Sequence, residues 1–192
     1  MKRLLLASFL AALAVFVWGF VFWGLSPMSA AVMQSADDDQ AAQAALRETF
    51  PKSGVYFVPS PAGDPAAVDA LHRAGPVAMV HIQMDGRPAM DPGIFVWGFV
   101  HGWLVCLILG WLLLRAGPAL PAYRSRVLFI AAAGFAAALF IDYGDTIWWY
   151  SDRSWQLLNL TYNTVAWLVA GVVLAAILKP DSASDPGMRG GQ

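Results

Sequence analysis

One cysteine and three histidines in 192 residues leave little material for metal or redox chemistry. A lone cysteine, Cys106, excludes an internal disulfide framework and any paired-cysteine site. It lies inside an apolar run and reads as a small buried residue. Charge is scarce too. Asp, Glu, Lys and Arg make up 13% of the chain, about half the quarter that a soluble domain carries. The net charge is -1, so no field exists to gather nucleic acid or acidic partners. What fills the sequence instead is apolar: 58% hydrophobic residues, nine Trp and eleven Phe, with a mean hydropathy of +0.56. That balance points to a membrane.

Crossing about 30 Å of hydrocarbon takes roughly 20 apolar residues as a helix, and four runs qualify. They are residues 4–25, within a first transmembrane helix of 1–25, then 93–114, 127–149 and 155–178. Lys2 and Arg3 precede the first run as they would a signal peptide, and Ser29-Ala30-Ala31 resembles a cleavage site. The run is much longer than the 7–15 residues of a signal h-region and holds two Trp. We therefore expect an uncleaved anchor. Lys2, Arg3, Arg115, Arg124, Arg126 and Lys179 cluster at one set of span ends. The positive-inside rule then places both termini and the 115–126 loop in the cytoplasm. Residues 26–92 and the 150–154 loop lie outside. Trp18, Trp23, Trp97, Trp148, Trp149 and Trp155 gather at the outer ends, where indoles favour the interface. The style of the sequence is bacterial, so the membrane expected is the inner (cell) membrane.

Residues 26–92 form the one stretch long enough for a water-facing domain. ADDDQAAQAALRETF predicts a helix with acids in its first turn. GVYFVPS predicts a strand stopped by Pro59 and Pro61. DPAAVDALHRAG predicts a second helix with Asp64 as N-cap, Pro65 at its first position and Gly75 at its end. VAMVHIQM predicts a second strand. The fold class expected is an all-α membrane protein, a bundle of four transmembrane helices, with a small extracytoplasmic α/β cap between helices 1 and 2. So few residues give the cap a thin core. The Gly-rich tail, 179–192, predicts a disordered cytoplasmic end. His72 and His81, both in the cap, lack the i, i+4 relation of a helical metal pair.

A layer of polar groups interrupts the spans. At 1.5 Å per residue, Asp142 stands ~22 Å and Asp145 ~27 Å up the third span. His101 lies ~11 Å below the outer end of the second, and on the fourth Asn159 lies ~6 Å and Asn163 ~12 Å deep. All fall in the outer half of the hydrocarbon. Helical spacing groups Gly98, His101, Gly102 and Val105 on one face. It does the same for Gly134, Ala138, Asp142 and Asp145, and for Asn159, Asn163, Ala166 and Ala170. Small residues let membrane helices approach and polar ones bond across the contact, so these faces are expected to pack inward.

Two readings are open. His101, Asp142, Asp145, Asn159 and Asn163 form either an interhelical hydrogen-bond cluster or an outer-leaflet pocket. Such a pocket would bind a cation, a lipid or a quinone headgroup, or relay protons. One His with two carboxylates differs from the two-His, one-carboxylate iron set. A b-type haem held by two histidines within the bundle is disfavoured, because His101 is the only histidine in a span. No cofactor or metal is expected. The inner halves of the spans hold no charged residue, which argues against a conduit. The leading expectation is an accessory or interaction protein, non-enzymatic, whose partners are the lipid bilayer and a membrane complex or another copy of itself. The rival is a membrane enzyme or transporter built on the five polar residues.

Phe20-Val21-Phe22-Trp23, then Gly54-Val55-Tyr56-Phe57-Val58-Pro59 and Gly75-Pro76, resemble a pattern of small four-span bacterial inner-membrane proteins. The resemblance covers the first half of the chain. It implies the same topology and no activity.

Overall fold

The computed structural model describes residues 1–179; the disorder expected of the tail concerns residues outside that range. Four helices are long and apolar enough to cross a membrane: Lys2–Leu25, Pro92–Ala119, Tyr123–Trp148 and Arg153–Ile177. Large apolar side chains stand exposed along them, with Phe140 at 84% and Trp97 and Trp148 at 73%. Exposed apolar surface on that scale is unusual in a soluble monomer and ordinary where lipid is the solvent. The chain is a multi-pass membrane protein.

The first span is α1 (Lys2–Gly19), extended by a π-helical turn, Phe20–Leu25. A short helix α2 (Met28–Val32) leads to α3 (Asp39–Thr49), β1 (Gly54–Val58), α4 (Pro65–Ala74) and β2 (Ala78–Ile82). The Asp38 carboxylate caps α3 by accepting from the Gln40 and Ala41 amides, and Asp64 caps α4 through the Ala67 amide. Gly75 ends α4 with φ +63°, a conformation that L side chains rarely adopt. β1 and β2 pair antiparallel, Gly54 opposite Ile82 through Val58 opposite Ala78. Phe50 is the one buried hydrophobic residue of this α/β segment, packed on Tyr56 at 4.6 Å between ring centres. The core is thin.

The second span is α5 (Pro92–Ala116) with a 3-10 turn, Gly117–Ala119. The third is α6 (Tyr123–Ala138), a second π turn (Leu139–Tyr143) and α7 (Gly144–Trp148). The fourth is α8 (Arg153–Ile177), whose Asp152 N-cap accepts from the Trp155 amide. Arg126 falls inside the third span's helix, not in the loop that the sequence suggests for it. The residue is 4% exposed, and its guanidinium donates to the carbonyls of Leu120 and Pro121, and of Ala175 in the last turn of α8. Those carbonyls lack helical partners, which is what allows a cation to be buried there.

α6 lies along α8, and α1 packs between α8 and α5. Small residues set these contacts. A Cβ on Gly134 would collide with Trp167, and one on Gly171 would stand 3.2 Å from Ile130 Cβ and the Val127 carbonyl. On α1 the buried face is Ala7, Ser8, Ala11 and Ala12. Trp103 of α5 donates its indole N–H to Ser8 Oγ at 3.1 Å, and Phe99 meets Phe9 and Phe16 edge-on. α5 touches α8 near Gly110, where a Cβ would lie 2.7 Å from Leu4, 3.2 Å from Leu178 and 3.4 Å from Leu174. Toward the end nearer the α/β segment, α5 leans away from α8.

Candidate functional site

The two π turns flank one stretch of α8, Tyr162–Asn163. On one side Trp18 donates its indole N–H to the Tyr162 carbonyl at 3.2 Å. Phe22 and Trp23 of the first π turn each lie 5.3 Å from the Tyr162 ring. On the other side Asp142, within the second π turn, accepts from Asn163 Nδ2 at 2.8 Å. A π turn adds a residue to the helical repeat and rotates the rest of the helix about its axis. Gly134, Ala138 and Asp142 are all buried on the face toward α8. Neither turn carries a sequence signal that hydropathy or spacing detects.

The five polar residues therefore divide. Asp142 and Asn163 are brought together. Asp145 is half-buried and meets Gln156 Nε2 only at 3.5 Å. Asn159 turns back on its own helix and donates to the Trp155 carbonyl at 2.9 Å. The His101 side chain makes no hydrogen bond to any described residue, and the residue is exposed. Among the described residues the one ion pair is Asp69–Arg73 on α4, at 2.7 Å, so Asp142 has no cation beside it. No group of three or more His, Cys, Asp or Glu among them sits close enough to share a metal.

The face expected to pack through Gly98 and Gly102 does not pack. A Cβ on either would meet nothing within 4 Å, and Gly98 and His101 are exposed. The reason lies about a third of a turn away: Phe99 and Trp103 supply the bulk that α5 presents to α1. With α5 held there, its glycine face looks across a gap toward α8. The gap is a groove of about 750 Å³ with α1 as its floor, from Ile94 and Trp23 at one end to Leu109 and Ala170 at the other. His101 and Asn163 stand on its facing walls, joined by Tyr162. No Asp, Glu, Lys or Arg lines it.

A second, smaller hollow of about 320 Å³ lies where β2 meets the connection between the third and fourth spans. His81, Asp145 and Asp152 line it with Trp149 and Tyr150. Phe57 of β1 stacks on Tyr150, 6.1 Å between ring centres. Sequence reasoning misses the groove, Arg126 and Gln156. Gln156 has a findable signal, since it stands one turn before Asn159 and Leu160 at the head of the span.

Compared with protein-family models, curated proteins and solved structures, the chain matches none, so what it does is read from the groove and the residues around it.

Proposed function

We propose that this protein is a non-enzymatic accessory protein of the bacterial inner membrane that holds a partner in the groove between its first, second and fourth spans. Both termini face the cytoplasm, and the α/β segment caps a four-helix bundle on the outer side. The Lys and Arg distribution supports that orientation. The observation that carries the binding role is the splay of α5, which leaves about 750 Å³ beside a glycine face. Pockets of 300–1,000 Å³ with mostly apolar walls and a few convergent polar groups are characteristic of ligand sites.

The rival, an enzyme or transporter built on the five polar residues, needs them to converge. Their dispersal among separate partners supports binding instead. Two measurements test the proposal. Native mass spectrometry of the protein extracted from its own membranes in mild detergent should show a stoichiometric companion. That companion should be lost from the Gly98→Leu/Gly102→Leu variant, whose added side chains fill the groove. Retention of the companion by the variant removes the groove from the account. A reporter fused after Gln192 should be active only in the cytoplasm; activity in the periplasm reverses the topology.

A further inference from the structure

The groove itself says what kind of partner it fits. The walls are uncharged, so an ionic headgroup would find no counter-charge there. The polar groups lie deep. Ile94 to His101 is ~10 Å of helix, and Ile94 to Leu109 ~22 Å. A phospholipid must keep its charged head at the interface, which leaves His101 and Asn163 unanswered. A helix 10–12 Å across and ~22 Å long occupies roughly 2,000 Å³, more than the about 1740 Å³ of space between the walls even when its open mouth is counted. A second copy or a foreign span would therefore stay partly outside the groove.

His101 is the sharpest clue. An imidazole facing hydrocarbon without a partner is costly, and a neutral imidazole offers one donor and one acceptor. Asn163 opposite gives one N–H to Asp142 and keeps its carbonyl oxygen and second N–H. Asp142 thus fixes which way the amide points while staying outside the lining of the groove. The pair suits a small neutral head carrying carbonyl or hydroxyl oxygens.

Resting on the binding role argued above, we infer that the occupant is a prenylquinone-type lipid: a long apolar tail along α1 and an uncharged oxygen-bearing head between His101 and Asn163. Carbonyls would accept from His101, and hydroxyls would donate to the Asn163 oxygen. The quinone and the plain prenyl alcohol share this chemistry and can be told apart.

The test uses the full-length protein in detergent, with decylubiquinone and farnesol as probes. Native mass spectrometry should show a 1:1 adduct, and fluorescence of groove tryptophans Trp23 and Trp167 should be quenched saturably by decylubiquinone. Gly98→Leu/Gly102→Leu should abolish both. His101→Leu, which leaves the walls intact, should weaken binding about tenfold, the effect of one lost hydrogen bond. Tighter binding of decylubiquinone identifies a quinone head, and tighter binding of farnesol an alcohol. No saturable binding of either probe overturns the inference, and so does binding that both variants retain. If neither probe binds but the plugged variant loses its native companion, the groove is still an interaction site and only the lipid assignment fails. A companion that proves to be a polypeptide has the same meaning.

Discussion

The second and third spans carry the same signature and do opposite things with it. Gly98 and Gly102 on α5, with His101 beside them, parallel Gly134 and Ala138 on the third span, with Asp142 one turn on: in each, two small residues stand four apart next to one polar group. The third span closes on α8 until Gly134 lies under Trp167 and Asp142 meets Asn163. The second span keeps its glycines open to the groove. Small residues permit a close approach; they do not cause one. The bulky residues on the neighbouring face decide. On α5 these are Phe99 and Trp103, which are committed to α1.

Substitutions at matched positions should expose that contrast. The largest effect belongs to Gly134→Leu, which forces a side chain into Trp167. It should destabilise by about 3 kcal/mol or prevent accumulation, read by thermal unfolding in detergent. Gly102→Leu should change stability by about 0.5 kcal/mol or less. Equal losses at the two sites would erase the distinction.

Arg126 lies on the closed side and has no counterpart on the other. Arg126→Leu strips donors from three carbonyls and should cost about 2 kcal/mol. Arg124→Leu, two residues earlier and exposed, should be neutral by the same assay. The smallest difference concerns the polar pair. Asn163→Leu leaves Asp142 buried without its amide and should cost about 1 kcal/mol. The Asp142→Leu/Asn163→Leu double variant should recover most of that, since removing both partners is gentler than removing one. His101→Leu should leave unfolding unchanged, because nothing in the protein is bonded to it. A large loss there would mean that the open face is structural after all.

Much of the local structure is legible in the sequence. Asp64, Pro65 and Gly75 bracket α4 as their chemistry requires, and Pro59 ends the pairing of β1 one residue after Val58. The four apolar helices come from hydropathy. The depth of the polar layer brings Asp142 level with Asn163. What depth cannot give is rotation. Two residues at one height share a site only if their helices turn them toward each other, and the π turns at Phe20–Leu25 and Leu139–Tyr143 change that turn without a marker in sequence. Asn159 illustrates the same limit: it sits one turn above Asn163 and bonds to its own helix. Arg126 is hidden for another reason. Counting cations near span ends treats each as water-facing, whereas its acceptors include a carbonyl 49 residues away.

That distance bears on how the protein is made. The chain emerges from its N-terminus, so the third span and Arg126 are complete while Ala175 is still unmade. The guanidinium can reach the Leu120 and Pro121 carbonyls just ahead of its own helix, yet its remaining acceptor arrives only with the end of the fourth span. Until then the guanidinium has no acceptor on the fourth span. Once α8 docks, that charge is withdrawn from water. Arg126 is thus a group short of its last acceptor in the nascent chain and a clasp between helix ends in the finished one.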